Sequence, residues 1–521
     1  MIRQRVTLRR LGPGVAIVMV VTALLAAADP ARAAECDRID ELSVPGAERQ
    51  EAACLEDMSS TALAPTSYTD VSDWAGLHSK RSTNPSSGPG IQIDGYFPDT
   101  STTNSWRGWN HDSQFVIRLP DEWNGKLVVT GAPGVRRQYA NDYIISDWVL
   151  SRGYAYASTD KGNTGTSFYV DGDQPGDAVL EWHERVAELT RAAKRVVRQR
   201  YGRPPQRTYV TGISNGGYLT RWQLERYPGL YDGGVDWEGT LFRPDVNLFT
   251  YLPVALRHYP RWQLTQDEAA HDAMIKAGFA PGSEILWPDH YSVYWDLTQR
   301  VYREEFDPEF DGDQQAGYPF CQPGTFDGAC DADYDYESRP QAVKDAVARV
   351  SLTGDIRKPM LTLHGDLDAL LPIDTDSDLY TRMIRRAGRG AMHRYYVVEG
   401  GNHVDDRADL FPEQVRPILP CYRDAFEHLE RWVERGKAPP PSRTIARGEV
   451  DDEANECALR VAATEDGDGG GGDGGDGAAD DRSAEDDGGG SAPVLPATGG
   501  GAPLLGLALF AGAAGLYQRR R

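Results

Sequence analysis

The 521-residue sequence has little positive charge, since 55 Lys and Arg residues face 78 Asp and Glu residues and the net charge is −23. Proteins that bind nucleic acids carry basic patches, so this balance argues against a nucleic-acid partner. Cysteine is also scarce, with six residues in the whole chain. None of the six has metal-ligand spacing with a nearby histidine, and a zinc site is therefore not expected.

The six cysteines instead predict disulfide bonds, because an even number of cysteines in an exported chain is typical of a disulfide framework. Six cysteines allow 15 connectivities. Pairing by proximity along the chain gives Cys36–Cys54, Cys321–Cys330 and Cys421–Cys457.

Residues 1–33 have the features of an export signal. Four arginines come before an apolar run at 15–27, and Ala-Arg-Ala at 31–33 suits signal peptidase, with cleavage before Ala34. The alternative is an N-terminal membrane anchor, which is disfavoured because the apolar run is too short to span a bilayer comfortably.

Residues 495–521 contain three ordered features. The first is the pentapeptide Leu495, Pro496, Ala497, Thr498, Gly499. An apolar run at 502–517 and three arginines at 519–521 follow. This order resembles the sorting signal of Gram-positive surface proteins. The resemblance implies that sortase cuts between Thr498 and Gly499 and joins the threonine to peptidoglycan, which leaves an extracellular protein anchored covalently to the cell wall. The alternative, an ordinary tail anchor, would not need the pentapeptide.

Residues 446–494 form an acidic stretch rich in Gly and Asp. Between 465 and 487 there are ten acidic residues and one arginine, Arg482. Such a segment cannot bury a core and is predicted to be an extended, self-repelling linker. Calcium binding by its Asp-Gly repeats is the alternative, but no nonapeptide period is kept.

The central part of the chain alternates predicted strands with helical patterns. Strands are predicted at 114–119, 126–130, 154–158, 207–211, 359–363 and 394–398. The clearest helical pattern runs from 179 to 201 and is ended by Gly202 and Pro204. This alternation predicts an α/β fold with a mostly parallel central sheet.

The stretch 240–348 interrupts this alternation, because it is rich in Trp, Tyr, Pro and Asp and has no convincing series of core strands. We interpret it as a large inserted cap over the carboxyl edge of the sheet, where open α/β sheets keep their sites. The alternative is a separate module. The core is then predicted at 111–239 and 349–445, with 34–110 as an N-terminal segment packed on it.

A Gly-x-Ser-x-Gly motif stands between a predicted strand and a helix, with Ser214 at its centre. A sharp strand-to-helix turn strains the serine backbone, and small residues at Gly212 and Gly216 let neighbouring backbones approach. Ser214 is therefore the predicted nucleophile. A serine hydroxyl needs a base, and the base needs an orienting carboxylate. In α/β-hydrolases these follow in the order Ser, Asp or Glu, His.

Two later strands supply these partners in that order. The strand at 359–363 is followed by a short loop in which Asp368 is the predicted acid and Asp366 the reserve. The strand at 394–398 is followed by a glycine-bearing loop that contains His403, the predicted base. Together they predict an α/β-hydrolase fold with a catalytic triad.

An oxyanion hole is expected from the backbone N–H of Asn215 and a second N–H in the loop after strand 126–130. Pro133 has no N–H, so Ala132 and Gly134 are the alternatives. The expected reaction is attack of Ser214 on an ester carbonyl, followed by hydrolysis of the acyl-enzyme. This chemistry requires no cofactor.

Several segments resemble the 3-hydroxybutyrate oligomer hydrolase family. They are Val-Val-Thr-Gly-Ala-Pro-Gly at 128–134, Ser-Thr-Asp-Lys-Gly-Asn-Thr-Gly at 158–165 and Ile-Ser-Asn-Gly-Gly at 213–217. The resemblance extends from Trp106 to Asp405 and is weakest in the insertion. It implies a serine esterase that acts on 3-hydroxybutyrate-type oligomers or related esters.

The serine motif and the segment 227–234 also resemble tannases and feruloyl esterases, which implies aromatic esters as alternative substrates. That family commonly ties cysteines before the serine and after the histidine in a disulfide, whereas this chain has Ile213 and Val404 there.

Tannase-like caps often bind calcium, and acidic residues of the insertion could do so. They are Asp307, Asp311, Asp313, Asp327, Asp331, Asp333 and Asp335. The alternative is a solvated acidic loop, and the metal content stays open.

Two other functions are compatible with the sequence. The first is a catalytically idle hydrolase fold displayed on the surface for adhesion or ligand binding, which the cell-wall anchor alone would favour. The second is a serine peptidase of similar fold, and this hypothesis has less support because no propeller domain comes before the core. The complete Ser-Asp-His set favours an esterase.

Overall fold

The computed structural model describes residue 36 and residues 39–60, 71–310 and 331–460. The predicted signal peptide, the part of the predicted linker from 461 onward and the predicted sorting signal lie outside the described residues. The predicted start of the linker at 446 is wrong, because residues 446–460 pack on the fold, with Ala454 and Leu459 buried and Cys457 bonded to Cys421. Within the described part, no helix is both long and apolar enough to cross a membrane.

A ten-stranded sheet forms the centre of the molecule, with the order β1-β2-β3-β5-β4-β6-β7-β8-β9-β10. The strands are β1 Arg49–Leu55, β2 Gly90–Tyr96, β3 Gln114–Pro120, β4 Lys126–Gly131, β5 Ala155–Thr159, β6 Arg207–Ile213, β7 Gly233–Trp237, β8 Met360–Gly365, β9 His393–Val398 and β10 Arg443–Ile445. The pairs β1–β2, β2–β3 and β3–β5 are antiparallel. Every pair from β5 to β10 is parallel.

The central parallel strands are buried on both faces, which explains why most of their sequences are rich in apolar and β-branched residues. In β6, for example, every residue after Arg207 is buried. The six strands expected from sequence are all present, with ends shifted by at most two residues. This mostly parallel sheet with crossover helices confirms the predicted α/β-hydrolase fold.

Ten α-helices accompany the sheet in the described residues. They are α1 Asp147–Ser151, α2 Asp177–Tyr201, α3 Asn215–Arg226, α4 Leu248–Thr265, α5 Glu268–Lys276, α6 Trp287–Asp289, α7 Trp295–Phe306, α8 Gln341–Arg349, α9 Ser377–Arg386 and α10 Leu419–Arg435. Helix α2 matches the clearest helical pattern of the sequence, and α3 is the helix expected after the serine motif. Helix α2 ends where Gly202 takes the left-handed conformation, with φ of 72°, which is the usual glycine stop.

The described residues between 240 and 348 contain helices and no strand. Their aromatic side chains mostly pack on one another: Trp287 and Trp295 are fully buried and contact Phe279 and Tyr259. These rings form the core of the insertion. Helix α7, by contrast, lies over the carboxyl edge of the sheet next to Ser214, since four of its residues line a cavity with that serine: Leu297, Thr298, Val301 and Tyr302.

Two disulfide bonds are formed in the described residues, Cys36–Cys54 and Cys421–Cys457. Both match the pairing by proximity. The first ties the N-terminal residues to β1, and the second ties α10 to the chain after β10. The third expected pair, Cys321 and Cys330, lies outside the described residues.

Candidate active site

Ser214 lies at the turn between β6 and α3 with a backbone that other residues rarely adopt, since its φ is 58° and its ψ is −123°. The two flanking glycines allow the turn. A Cβ on Gly212 would come within 2.6 Å of the Gly216 backbone, and one on Gly216 within 2.6 Å of the Gly131 carbonyl oxygen. Strand β6, helix α3 and strand β4 can therefore pack tightly only because these positions lack side chains.

The structure brings the three predicted triad residues together. The Nε2 atom of His403 lies 3.0 Å from Ser214 Oγ, and its Nδ1 atom lies 2.8 Å from Asp368 Oδ2. His403 and Asp368 are both buried. This is the arrangement in which a carboxylate orients an imidazole and the imidazole accepts the serine proton.

Asp368 is held by several donors besides His403. Its Oδ1 accepts the backbone N–H groups of Leu370 and Leu371, each at 2.8 Å. Burial alone would raise the pKa of Asp368, but His403 and the nearby His364 favour the ionised form and hold that pKa well below its usual value. The carboxylate is therefore charged over the whole physiological range.

Asp366, the reserve acid, does not reach His403. Its Oδ1 accepts the Gly400 N–H at 2.7 Å and so braces the loop that carries the histidine. His364 packs beneath the acid loop, with Nε2 2.9 Å from the Leu371 carbonyl oxygen and 3.2 Å from Asp368 Oδ2.

Sequence reasoning missed Glu238, which follows β7 and is fully buried beside the triad. Its Oε1 accepts the Gly365 N–H at 2.7 Å, and its Oε2 lies 3.9 Å from His403 Nδ1 without a hydrogen-bond partner in the described structure. Burial, with the charge of Asp368 second, raises the pKa of Glu238 well above its usual value. An acid directly after a strand was the available signal, but β7 itself was not predicted.

The loop after β4 supplies one of the two alternative oxyanion donors. The N–H of Ala132 donates to the Thr159 carbonyl at 2.9 Å, so it is engaged and Ala132 is the poorer choice. Gly134 lines the cavity at Ser214, and its carbonyl oxygen accepts the side-chain amide of Asn215 at 2.9 Å. Asn215 is the first residue of α3, where backbone N–H groups have no intrahelical acceptor.

A cavity of about 120 Å³ opens at Ser214 and His403. Its lining is mostly apolar, and Ile213 and Val404 contribute to it. These two residues stand where tannase-type enzymes carry their linked cysteines. Here they place two aliphatic side chains next to the nucleophile.

One group of acidic and histidine side chains in the described residues is close enough to hold a metal ion: Glu238, Asp368 and His403. The Nδ1 atom of His403 is already bonded to Asp368, so the cluster is explained by the triad geometry. In the cap, Asp307 lies 2.5 Å from Arg339 and Asp331 lies 2.6 Å from Arg303, which commits these acids to ion pairs. The expected acids between 311 and 330 lie outside the described residues.

Fold and site together define the class: an α/β-hydrolase fold with a Ser, His and Asp constellation at the carboxyl edge of its sheet. Two family models match the chain. The model described as "Tannase and feruloyl esterase" matches residues 103–237, and the model described as "3HB-oligomer hydrolase" matches residues 320–464. Both resemblances expected from sequence are thus confirmed, and neither match reaches half of the chain.

Two relatives that the chain matches over part of their length are named as hydrolases. The chain is 28% identical over 145 residues to mono(2-hydroxyethyl) terephthalate hydrolase of Piscinibacter sakaiensis, over 25% of this chain and 23% of that protein. It is 30% identical over 120 residues to D-(-)-3-hydroxybutyrate oligomer hydrolase of Cupriavidus pinatubonensis, over 22% and 17%. The matched segment is therefore less than a quarter of either relative. Among solved structures, feruloyl esterase B from Aspergillus oryzae is similar, with a TM-score of 0.47, 15% identity, and coverage of 80% of this chain and 93% of that one.

Proposed function

We propose that this protein is a serine hydrolase of carboxylic esters. The observation that carries the proposal is the pair of contacts at His403, which lies 3.0 Å from the serine oxygen and 2.8 Å from the carboxylate of Asp368. The names of the relatives support ester hydrolysis in particular.

The proposed reaction follows from this geometry. Ser214 Oγ bonds to the ester carbonyl carbon while His403 takes the serine proton, and the N–H groups of Asn215 and Gly134 hold the oxyanion. The ester C–O bond then breaks, and His403 gives its proton to the leaving alcohol. Water, deprotonated by His403, cleaves the acyl-enzyme and restores the serine hydroxyl.

Short hydroxyacid esters of the 3-hydroxybutyrate type are the proposed substrates. The small size and apolar lining of the cavity support a short acyl chain. Aromatic esters of the tannase and feruloyl type are the second candidate, which the match of that family's model to residues 103–237 favours.

The test is hydrolysis by the full-length chain of p-nitrophenyl butyrate, hydroxybutyrate dimer, methyl gallate and methyl ferulate. We expect Ser214→Ala to lower kcat by at least about a thousandfold, while Ser167→Ala, a change at an exposed serine, has no comparable effect. Turnover that survives Ser214→Ala would refute the mechanism. Failure of the wild-type protein to hydrolyse any ester would favour a surface protein that binds ligands through an idle hydrolase fold.

We also propose that the protein acts outside the cell, exported by residues 1–33 and joined to peptidoglycan through Thr498 by sortase. The ordered features at the two ends of the sequence support this location. The disulfide bonds formed in the folded part are compatible with an oxidising environment.

A further inference from the structure

The cavity at the nucleophile contains an arginine that the proposed reaction does not use. Arg136 lies in the loop after β4, two residues beyond Gly134, and lines the same cavity as Ser214 and His403. Among the described residues of this lining, Arg136 carries the one permanent charge. Most of its neighbours there are apolar or aromatic, such as Leu297 and Tyr302.

The guanidinium of Arg136 is oriented by carbonyl oxygens, and the charges of Asp73 and Asp406 act on it without a direct ion pair. Its Nη1 atom donates to the backbone carbonyl oxygens of Asp73 and Ala75, at 2.8 and 3.0 Å. No ion pair between described residues includes Arg136. The next residue differs, since Arg137 lies 2.6 Å from the Asp73 carboxylate and stacks on the Trp106 ring.

A second arginine near the cavity is also neutralised. Arg407 lies 2.7 Å from an Asp289 oxygen and 2.8 Å from an Asp406 oxygen. Arg136, by contrast, is a partly buried cation whose position is fixed by carbonyl contacts and which has no direct ion-pair partner among the described residues. Such a cation costs free energy unless an anion accompanies it.

The anion that fits best is a carboxylate of the substrate. A guanidinium presents N–H donors in a fork that matches a carboxylate. Because the arginine and the nucleophile line one small cavity, a ligand that reaches both must carry its ester and its anion in the same short molecule. An acid-ended hydroxyacid oligomer has this form.

We propose that Arg136 binds the free carboxylate of the substrate, so that the enzyme prefers short esters that carry a carboxylate over the corresponding neutral esters. This inference rests on the proposed esterase function and deepens it. It implies that the leaving alcohol of a dimer carries the bound carboxylate, since that unit alone offers the anion.

The test compares the 3-hydroxybutyrate dimer with its methyl ester, since both contain the same internal ester bond and differ in the carboxylate. With the full-length protein, we expect kcat/KM to be about ten- to a hundredfold higher for the acid. Arg136→Gln should bring this ratio close to one, mainly through KM for the acid, and Arg136→Lys should give an intermediate ratio. Arg137→Gln removes the same charge one residue away and should keep the ratio.

A ratio near one in the wild-type protein would overturn the inference, and so would a ratio that survives Arg136→Gln. If Arg137→Gln lowers the ratio of kcat/KM values as much as Arg136→Gln does, the preference comes from the overall positive charge of this loop and not from Arg136. Thermal unfolding of each variant verifies that it is folded.

A binding measurement separates this inference from the proposed catalysis. On the Ser214→Ala background, calorimetry should show tighter binding of the dimer than of its methyl ester, and adding Arg136→Gln should abolish the difference. If the wild-type protein hydrolyses neither compound but this difference in binding is seen, the esterase proposal fails and the carboxylate site stands. Equal binding of the two compounds overturns the carboxylate site.

Discussion

At the scale of single residues, the pKa values of two neighbouring carboxyl groups are shifted in opposite directions. Asp368 receives two backbone N–H groups and two imidazoles, which lower its pKa. Glu238 receives one N–H group and faces the charge of Asp368, which together with burial raises its pKa. Asp368 is thus the carboxylate that orients His403, while the surroundings of Glu238 favour its protonated form.

Replacement of the triad acid should impair catalysis far more than replacement of Asp366, the acid two residues earlier in the same loop. We expect Asp368→Asn to lower kcat by about a thousand- to ten-thousandfold, because an amide no longer stabilises the imidazolium of His403. Asp366→Asn removes the same charge from the same loop but leaves Asp368 in place, so its loss should be far smaller. Steady-state kinetics on one ester measures both. Equal losses would mean that the acid is wrongly assigned.

The buried amine of Lys161 leads us to expect that the stability of the folded protein depends on pH. This amine is fully buried without a hydrogen-bond partner in the described structure, 4.9 Å from the Trp182 ring, and burial lowers its pKa to about 7. An unfolded lysine has a pKa of about 10.4. Between these values the unfolded chain binds more protons, so the free energy of unfolding contributed by Lys161 rises with pH.

The variant Lys161→Met should flatten this rise, because it removes the titrating group and keeps an unbranched apolar side chain. Denaturant midpoints at pH 7 and pH 9, followed by tryptophan fluorescence, measure the difference. Lys276→Met, at an exposed position near the end of α5, serves as the control and should behave like the wild type. If the midpoint of the wild-type protein rises no more between pH 7 and pH 9 than the midpoint of Lys161→Met does, the expectation is contradicted.

At the scale of elements, a buried charge network joins helix α3 to strand β7 and to the start of helix α9. Arg221 on α3 donates to Asp236 of β7 at 2.7 Å, to Asp376 at 2.8 Å and to Ser377 of α9 at 2.7 Å. Ser377 in turn contacts His364 at 2.7 Å. The helix that follows the nucleophile is thereby connected to the loop that carries the triad acid.

Removal of Arg221 should be costly because it leaves two buried carboxylates without their partner. We expect Arg221→Met to lower the free energy of unfolding by about 3–5 kcal/mol. The matched change Arg226→Met, at an exposed position of the same helix, should stay within about 0.5 kcal/mol. Chemical denaturation of both variants measures this, and equal stability would show that the network contributes nothing.

The elements that could be predicted from sequence are those whose local pattern is strong. Six core strands and α2 are predictable because continuous apolar runs and a 3.6-residue period are strong signals. Helix α3 is predictable because it follows the Gly-x-Ser-x-Gly motif. Strand β7 was missed because its sequence, Gly-Gly-Val-Asp-Trp, has low strand propensity. It is a strand because β6 and β8 pair with it on both sides, and missing it concealed Glu238.

At the scale of the whole molecule, the proposed wall anchor predicts where the protein is found. In a host that has sortase, Thr498→Ala should release the protein into the medium, because the bond to peptidoglycan forms through that threonine. The matched change Thr464→Ala, in the linker, should leave the protein on the wall. Immunoblots of wall and medium fractions measure this. Attachment that persists in Thr498→Ala would exclude sorting.

The sequence by itself determined the fold class, and it predicted the three candidate triad residues that the structure brings together, because each of them follows a strand end or turn that local pattern reveals. Only the tertiary structure decided which groups surround them. Asp366 was set apart from Asp368, the N–H of Ala132 was engaged by Thr159, and Arg136 was placed unpaired in the cavity. The physical reason is that protonation, hydrogen-bond satisfaction and charge compensation depend on neighbours brought together from distant parts of the chain.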